Sequence, residues 1–438
     1  MRRRRNNGSE LNRRDFIRTA GLAAGVSTLL PILPVFAHTS QKGSSSTLTG
    51  KKPELRIGLL MPASLLYPDI SNNWLAGMQA YLQQAGNHLA GRRVQLRAQS
   101  FAFGPYSALK SARTLVEEDR VDLVTGIIGT AVSANLCQLF KKNRTILFAS
   151  HVGANVIQNH DHSPYIVHNS LNLWEANWAL GNWAPHRLGK TAVSVSSFYE
   201  SGYDAVYAFQ LGYEHAGGHI AHNIVTHNPA QKDMKMSVVF EKIMELQPDM
   251  VFASYSGKEA AEFLSLFNRF GLAGKVHLAG SAFLTHYAAI SSATTCTAEI
   301  STCLPWTNLL ENAANSKFKK AYTQHTGSQP DTFALLGYET AQLIEFALEQ
   351  SEHSLTNHHV LLDILSRTKI DTPRGRLQFE KQTGLLTGPL YITPAIEQGN
   401  VKKNEMIAVL PGGPGQDPKT QTLRSGIKTG WLNPYLCA

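Results

Sequence analysis

Apolar runs that give way to helical apolar patterns are the main feature of this chain, and residues 123–135 show the change most clearly. The first half of this stretch is an uncharged, β-branched run without a helical period, which is typical of a strand buried on both faces. The apolar positions that follow recur at helical spacing, at Val132, Leu136, Leu139 and Phe140. The pattern therefore predicts a buried strand that turns through Gly129 and Thr130 into a helix.

The end of this strand is a candidate ligand site. The first N–H groups of a helix have no partner within the helix, and here they would lie at the carboxyl end of a sheet, where open α/β sheets bind ligands. Ser133 adds a hydroxyl beside them. Two interpretations stay open, an anion-binding turn and an ordinary strand-to-helix connection that binds nothing.

Strands and helices alternate in this way twice along the chain. The predicted strands are residues 55–61, 94–98, 123–128 and 145–149 in the first run, and residues 192–196, 219–225, 250–254 and 276–279 in the second. Residues 165–172 are a short extended segment between the runs. Helices at 331–350 and 358–367 and a hairpin strand at 375–379 are predicted later. We therefore predict an α/β fold of two Rossmann-like lobes with parallel sheets that face each other across a cleft.

Residues 1–37 have the composition of an export signal. They carry seven arginines against two acids, and an arginine pair at 13–14 precedes an uncharged segment that extends to residue 37. This arrangement resembles a twin-arginine signal, with small residues at 35–37 where a signal peptidase cleaves. A general secretory signal and an uncleaved anchor are the alternatives. We predict an exported, periplasmic protein with a flexible linker at 38–53.

Charge and motifs argue against several classes of protein. The net charge is +9, of which residues 1–37 contribute +5, and the remaining +4 forms no basic block, so we expect no nucleic-acid partner. No dinucleotide fingerprint, P-loop or nucleophile elbow follows a predicted strand, so we expect neither an enzyme nor a cofactor. After residue 37 no apolar run is long enough to span a membrane. We expect the mature protein to be monomeric and not membrane-embedded.

Cysteine and histidine spacing leaves two questions open. Cys296 and Cys303 are close enough in sequence to form a disulfide or to stay as thiols, and Cys137 is predicted to be a buried free thiol. Histidines are dense around two stretches, and they are His160, His162, His215, His219, His222 and His227. An exported metal-binding protein that uses them is the alternative function, but zinc would need three or four of them to converge.

Six sequence blocks, in this order, resemble one protein family. The blocks are residues 55–64, 91–94, 115–133, 248–272, 338–341 and 375–379. Between residues 54 and 400 the chain resembles the substrate-binding proteins of ABC transporters in the leucine/isoleucine/valine- and amide-binding group, which have the type I periplasmic binding fold. The resemblance implies that a small-molecule ligand binds between the lobes, and that membrane permease subunits recognise the closed protein.

The resemblance also implies that each lobe is built from discontinuous segments joined by three hinge crossings, near residues 170, 306 and 354. The predicted ranges are 54–170 with 307–353 for the first lobe, 171–306 with 354–410 for the second lobe, and 411–438 for a C-terminal tail.

Candidate ligand-binding residues of the first lobe follow from the resemblance. Ser133, with Thr130 beside it, matches a serine that hydrogen-bonds a ligand carboxylate or amide. Ser150 matches the serine that ends the next strand. The family continues with a small loop and a threonine, whereas this sequence has His151 and, four residues later, Asn155. A helix-capping serine at Ser133 and a solvated loop histidine at His151 are the alternatives.

Candidate residues of the second lobe are mainly aromatic. Tyr255 and Ser256 match a position from which the family presents an aromatic ring or a hydroxyl. In the first lobe, Tyr67 lies in the first loop, where the family often has an aromatic wall. Tyr199 or Tyr203 takes the place of a family tyrosine after the first strand of the second lobe. For Tyr255 and Ser256 an exposed loop position without a ligand is the alternative.

One departure from the family bears on the ligand. Members that bind α-amino acids place an acid after the strand predicted at 276–279, whereas this chain has no acid between there and Glu299. An ammonium group would lack its charge partner at that place. The predicted ligand is therefore a small polar solute, an amide, a carboxylate or an amino-acid-like molecule, and an ordinary amino acid is disfavoured.

Overall fold

A computed structural model describes most of the chain after the predicted export signal. The described residues are 53–63, 69–102, 104–155, 163–198, 200–202, 204–227, 236–285, 298–351, 355, 358–380, 384–395 and 408–410. They belong to one compact unit that begins at residue 51. The predicted export signal, most of the linker and the predicted tail at 411–438 lie outside the described residues.

Ten α-helices and sixteen strands form the described part of the chain. The helices are α1 (Ile70–Gln84), α2 (Pro105–Arg113), α3 (Thr130–Asn143), α4 (Leu173–Trp183), α5 (Asp204–His215), α6 (Ser237–Leu246), α7 (Gly257–Arg269), α8 (Ala313–Thr326), α9 (Thr332–Gln350) and α10 (His358–Arg367). The strands are β1 (Leu55–Pro62), β2 (His88–Leu89), β3 (Arg92–Phe101), β4 (Leu123–Ile127), β5 (Ile146–His151), β6 (Ile166–Ser170), β7 (Thr191–Ser197), β8 (His219–Thr226), β9 (Met250–Ser254), β10 (His277–Gly280), β11 (Ile300–Leu304), β12 (Lys369–Thr372), β13 (Gly375–Phe379), β14 (Leu386–Thr387), β15 (Leu390–Ala395) and β16 (Ala408–Leu410).

The first sheet has the strand order β2-β3-β1-β4-β5-β6 and is parallel except for β2. Helices α1, α8 and α9 cover one face, and α2 and α3 cover the other. In β4, Leu123 and Ile127 belong to the first of these cores and Val124 to the second. The strand is therefore buried on both faces, as its sequence predicts.

The second sheet has the order β16-β15-β11-β10-β9-β7-β8. Its five strands from β11 to β8 are parallel, and β15 and β16 extend it in the antiparallel sense. Helices α4 and α5 cover one face, and α6 and α7 cover the other. Two α/β bodies with parallel sheets confirm the predicted fold class.

The chain passes between the two sheets at three places. It leaves the first sheet after β6 to form α4, leaves β11 of the second sheet to form α8, and rejoins the second sheet at β15. Helix α10 and the small sheet of β12, β13 and β14 pack against the first lobe, because His358 contacts Arg144 and His168 pairs with Leu385. The prediction assigns residues 354–410 to the second lobe, whereas among the described residues of that range β15 and β16 are the part that joins the second sheet.

Helix α8 is an element that the hydrophobic pattern does not predict. Its mean composition is polar, and only a narrow stripe, which includes Phe318, Ala321 and Tyr322, is buried. The side chain of Asn312 caps it by accepting a hydrogen bond from the backbone N–H of Asn315. Strands β11 and β15 also lack a strong alternating pattern, and they form because neighbouring strands pair with them.

Candidate functional site

The carboxyl ends of the two sheets meet at the loop that follows β5. The backbone N–H of Ala205 donates to the carbonyl oxygen of Ala154 at 2.9 Å. The backbone N–H of Asp204 donates to Oδ1 of Asn155 at 3.1 Å. Because Ala154 and Asn155 follow a strand of the first sheet and α5 follows β7 of the second, these bonds join the edges at which open α/β sheets bind ligands.

The start of α3 lies at this edge of the first sheet. The helix begins at Thr130, and the preceding residue, Gly129, has no side chain that could cap its free N–H groups. Ser133 is buried, and its hydroxyl donates to the carbonyl oxygen of Thr130 at 2.8 Å. The structure therefore brings Thr130 and Ser133 together at an uncapped helix start, which carries the positive end of the helix dipole.

Ser150 faces the interior of the first lobe. Its hydroxyl lies 2.8 Å from Oγ1 of Thr340 on α9, and the side-chain amide of Asn169 donates to the same oxygen at 3.1 Å. Ser150 is completely buried. The hydroxyl therefore has a partner inside the lobe, and a role in ligand contact stays a prediction.

His151, the last residue of β5, is buried rather than solvated. Its Nε2 lies 3.1 Å from Nδ1 of His168 on β6, and the two rings meet edge to face. Within the described residues, Nδ1 of His151 has no hydrogen-bond partner, although the side chain is only 2% exposed. Burial lowers the pKa of His151 to about 4. The ring is therefore neutral near pH 7.

Tyr255 and Ser256 of the second lobe have different surroundings. Tyr255 is completely buried in the core, where it stacks on Phe263 and accepts a hydrogen bond from Oγ1 of Thr226 at 3.1 Å. Ser256 occupies the position just before α7, and its hydroxyl donates to Oε1 of Glu200. Ser256 thus contacts a second residue that follows a strand of this sheet, whereas the ring of Tyr255 packs in the core.

Glu200 is a residue of the site that sequence reasoning missed. It lies in a short turn after β7 and is only 3% exposed. Burial raises its pKa to about 7, the hydrogen bond from Ser256 acts in the opposite direction, and the charge of Glu259 adds to the rise. The sequence signal that could have identified Glu200 is its position directly after Tyr199, which the sequence identifies as a candidate ligand-binding residue.

Several predicted residues cannot be compared with the structure. Tyr67, Tyr199 and Tyr203 lie outside the described residues, and so do His160, His162 and Cys296. Cys137 is half-buried, with its Sγ 3.5 Å from the carbonyl oxygen of Ser133, and Cys303 is a buried free thiol in β11. Among the described residues, no three side chains of His, Cys, Asp or Glu converge as metal ligands. His215, His219 and His222 are exposed there, and His227 lies near the carboxylates of Glu259 and Glu262.

The turn between β12 and β13 contacts all three passages of the chain between the sheets. Arg374 in this turn donates from Nη1 to the carbonyl oxygen of Ser170, at the end of β6, at 2.6 Å. The side-chain amide of Asn312, before α8, donates to the carbonyl oxygen of Pro373 at 3.2 Å. The hydroxyl of Tyr391 on β15 donates to the carbonyl oxygen of Arg374 at 2.6 Å. The turn is therefore a common anchor for the three crossings.

A buried ion pair holds this turn in place. Glu339 on α9 accepts from Nε of Arg374 at 3.0 Å through Oε1, and its Oε2 lies 2.8 Å from Nη2. Both side chains are at most 1% exposed. Nη2 also donates to Oδ1 of Asn169 at 2.9 Å. Because breaking a buried pair leaves an uncompensated charge, the anchor is costly to displace.

Two cavities differ in their relation to the site. One of about 200 Å³ lies where both lobes meet the crossings, and Phe283, Trp306 and Asp331 are among its lining residues. Another of about 740 Å³ lies at the opposite, amino edge of the second sheet, beside Asp249 and His277. The smaller cavity lies at carboxyl edges, where ligands of open α/β sheets bind, but its lining does not include Ser133, His151 or Glu200.

Two α/β lobes, three crossings and polar groups on meeting sheet edges define a two-lobed binding protein. Residues 54–400 match the family described as periplasmic binding protein, and the chain belongs to that family. A Leu/Ile/Val-binding protein homologue of Brucella abortus is 24% identical over 171 residues, which are 39% of this chain and 43% of the relative. The chain thus spans less than half the length of the curated relatives it matches.

Solved structures share the fold. An ABC transporter substrate-binding protein from Sphaerobacter thermophilus superposes with a TM-score of 0.73 at 22% identity, over 82% of this chain and 98% of that one. A solute-binding protein of an ABC transporter from R. palustris, in complex with benzoate, superposes with a TM-score of 0.71 at 22% identity, over 82% of this chain and 97% of that one. Within the described residues, no helix is long and apolar enough to cross a membrane.

Proposed function

We propose that the protein is an extracytoplasmic receptor that binds a small polar solute between its lobes and delivers it to an ABC importer. The observation that carries the proposal is the family membership of residues 54–400, on a frame whose two sheet edges meet. The role is binding without catalysis. Export by the twin-arginine route, a monomeric state and recognition by permease subunits belong to the same proposal.

The ligand site that we propose combines groups from both lobes. The first lobe supplies the start of α3 with Thr130 and Ser133, and the neutral ring of His151. The second lobe supplies Ser256 and Glu200, which are hydrogen-bonded to each other. Helix N–H groups and hydroxyls favour a carboxylate or an amide.

Two other predicted residues of the site have partners inside their own lobes. Ser150 bonds to Thr340, and Tyr255 packs in the core of the second lobe, so we propose that both support the walls of the site. The end of β10 carries no acid, but Glu200, after β7, supplies a carboxyl group to the proposed site. An amino-acid-like ligand therefore stays within the proposed class of ligands. The R. palustris protein, which holds benzoate, supports an aromatic carboxylate as the first compound to test.

A ligand screen tests the proposal. The full-length protein is heated with benzoate, benzamide, phenylacetate, phenylacetamide and leucine, each at a concentration far above its dissociation constant. A compound present at 100 times its dissociation constant stabilises the folded state by about 2.7 kcal/mol. We expect at least one compound to raise the midpoint of thermal unfolding by a few degrees. Small-angle X-ray scattering of the same sample should show a smaller radius of gyration, because the lobes close on the ligand.

Transport is tested separately in cells. Deletion of the gene should abolish uptake of the bound compound at micromolar concentrations, and the wild-type gene should restore it. A protein that no compound of these classes stabilises, in a strain whose uptake is unchanged by the deletion, would overturn the proposed function.

A further inference from the structure

We propose that His151 couples the binding of a carboxylate ligand to the uptake of one proton. This inference rests on the proposed function and adds to it the class of ligand and the group that senses its charge. Three observations carry it, namely the place of His151 on β5, its contact with His168, and the uncapped start of α3 beside it.

The place of His151 follows from the alternation of side chains along β5. Leu147 and Ala149 belong to the core that α3 covers, and His151 is the next residue on that face. The backbone N–H of Ile128 donates to the carbonyl oxygen of Ser150 at 2.8 Å, which ties the ends of β4 and β5 together. The ring of His151 therefore lies on the side of the sheet where α3 begins.

The contact with His168 uses one ring nitrogen of His151 and leaves the other without a partner. Nε2 lies 3.1 Å from Nδ1 of His168, and Nδ1 of His151 has no hydrogen-bond partner within the described residues. A buried polar atom without a partner costs about 1–3 kcal/mol. A ligand oxygen at this place would remove that cost.

The start of α3 determines which ligand suits the ring. The helix has 14 residues, and its first N–H groups have no side-chain cap, so they favour an anion. A carboxylate bound there places a negative charge next to a neutral imidazole, which favours the protonated ring. One proton from solvent then binds to Nδ1 of His151. The new N–H donates to the carboxylate, Nε2–H donates to His168, and no other bond changes.

Other ionisable groups surround the ring, and the test must separate them from it. They are His168 on β6, Cys137 on α3, Asp204 at the start of α5, the Glu339 and Arg374 pair on the other face of the sheet, and Glu200 of the proposed ligand site, whose pKa burial raises to about 7. All of them are present whether the ligand is charged or not. A carboxylate and its amide, which have nearly the same shape, therefore isolate the response to the anion, and variants show which group gives it.

Calorimetry on the wild-type protein is the central experiment. Benzoate and benzamide, and phenylacetate and phenylacetamide, are titrated between about pH 5.5 and 8, where such carboxylates are ionised. Each titration is repeated in two buffers of different ionisation enthalpy, which gives the number of protons taken up. We expect carboxylate binding to take up as much as one proton as the pH falls, with affinity rising up to about tenfold per pH unit. Amide binding should take up none.

Two variants assign the effect to one residue. His151→Asn keeps a hydrogen-bonding group but cannot titrate, so we expect it to bind the carboxylate without proton uptake. His358→Asn is the matched control, because His358 is also buried, has an unpartnered Nδ1 among the described residues and a pKa lowered by burial, yet lies beside Arg144 at the far end of α3. It should leave proton uptake unchanged.

The outcomes separate the two proposals. Carboxylate binding with no proton uptake, or proton uptake that persists in His151→Asn, overturns the inference and leaves the proposed function standing. Binding of amides alone does the same. If no compound binds, both fail. Should His151→Asn not fold, proton uptake is measured in Glu200→Gln, in which the other ionisable group of the proposed site is absent, and loss of carboxylate-linked uptake there overturns the inference.

Discussion

Glu200 and His151 are buried ionisable residues whose pKa values move in opposite directions. Burial raises the pKa of Glu200 to about 7 and lowers the pKa of His151 to about 4, because a low-dielectric environment disfavours the charged form of either group. Both side chains are therefore largely neutral near pH 6. A site with neutral groups on both edges can respond to the charge of its ligand.

The raised pKa of Glu200 predicts a specific pH dependence of stability. Between the usual pKa of 4.5 and the folded value of about 7 the folded state holds a proton that the unfolded chain releases, so the free energy of unfolding falls as the pH rises. This loss reaches about 3 kcal/mol above pH 7. Glu200→Gln removes it. Thermal unfolding should show the variant gaining stability relative to the wild type between pH 4.5 and 8.

A matched substitution on the surface checks this prediction. Glu214 is exposed on α5, and Glu214→Gln should follow the wild-type profile. If Glu200→Gln shows the same pH dependence as the wild type, the carboxyl of Glu200 is ionised in the folded protein and the prediction is wrong.

Residue positions were predictable where local sequence sets them. Ser133 and Ser256 lie at helix starts that glycine and small polar residues define, and the structure places them there. The residues that these side chains contact in the fold were not predictable from the sequence. Ser256 bonds to a residue 56 positions away, and His151 contacts one 17 positions away. Burial and pKa depend on such distant neighbours, so the sequence alone did not identify Glu200.

Two pairs of helices pack through reciprocal glycines, one pair in each lobe. A Cβ at Gly77 of α1 would lie 1.9 Å from the carbonyl oxygen of Ala334, and one at Gly337 of α9 would lie 1.8 Å from that of Trp74. Gly181 of α4 and Gly212 of α5 have the same relation, at 2.1 Å each. The backbones of these helices therefore touch, which no larger side chain would allow.

This contact predicts the effect of adding one methyl group. Gly337→Ala would improve helix propensity by about 1 kcal/mol, but the new Cβ would meet a carbonyl oxygen and force α1 and α9 apart. We expect a net loss of about 2 kcal/mol in the free energy of unfolding, measured by denaturant titration. Gln350→Ala, on an exposed position of the same helix, should change it by less than about 0.5 kcal/mol. If Gly337→Ala leaves the free energy of unfolding unchanged, the two helices can separate without a cost in stability, and the prediction is wrong.

The elements that were predicted and those that were missed differ in amphipathicity. Strand β9 and helix α10 have the predicted bounds, because each has a continuous or periodic apolar pattern of its own. Helix α8 was missed because its pattern is weak and its buried stripe is recognised only against α1. Local pattern thus predicts elements that carry their own hydrophobic signal.

The turn that anchors the three crossings connects the two lobes. Tyr391 binds this turn through its hydroxyl and belongs to the second sheet, whereas Arg374 is held by the first lobe. Loss of the hydroxyl would release one crossing without disturbing the buried ion pair. Tyr213 offers a matched control, since its buried hydroxyl also donates to a carbonyl oxygen, that of Gly189, within the second lobe.

The two tyrosines predict separable effects on stability and binding. Tyr391→Phe and Tyr213→Phe should each lower the free energy of unfolding by about 1 kcal/mol, because each leaves a carbonyl group without its hydrogen bond. Only Tyr391→Phe should weaken binding of the compound found in the ligand screen, by about fivefold, since only it loosens the lobe arrangement. Isothermal titration calorimetry measures the affinities. If the two variants bind the compound with equal affinity, the turn at Arg374 has no role in the arrangement of the lobes.

Hydrophobic periodicity, which is a local property, was enough to predict two α/β runs, their parallel sheets and the strand-to-helix turn at Gly129. The family resemblance came from six sequence blocks in order. Tertiary structure alone decided that α10 and the small sheet join the first lobe, that Arg374 reaches a residue 204 positions away, and that Glu200 and His151 are buried. The physical reason is that a sequence pattern shows which face of an element is apolar, but not which distant surface covers it. The burial of a residue, its pKa and the anchoring of the crossings all depend on which distant surface covers each element.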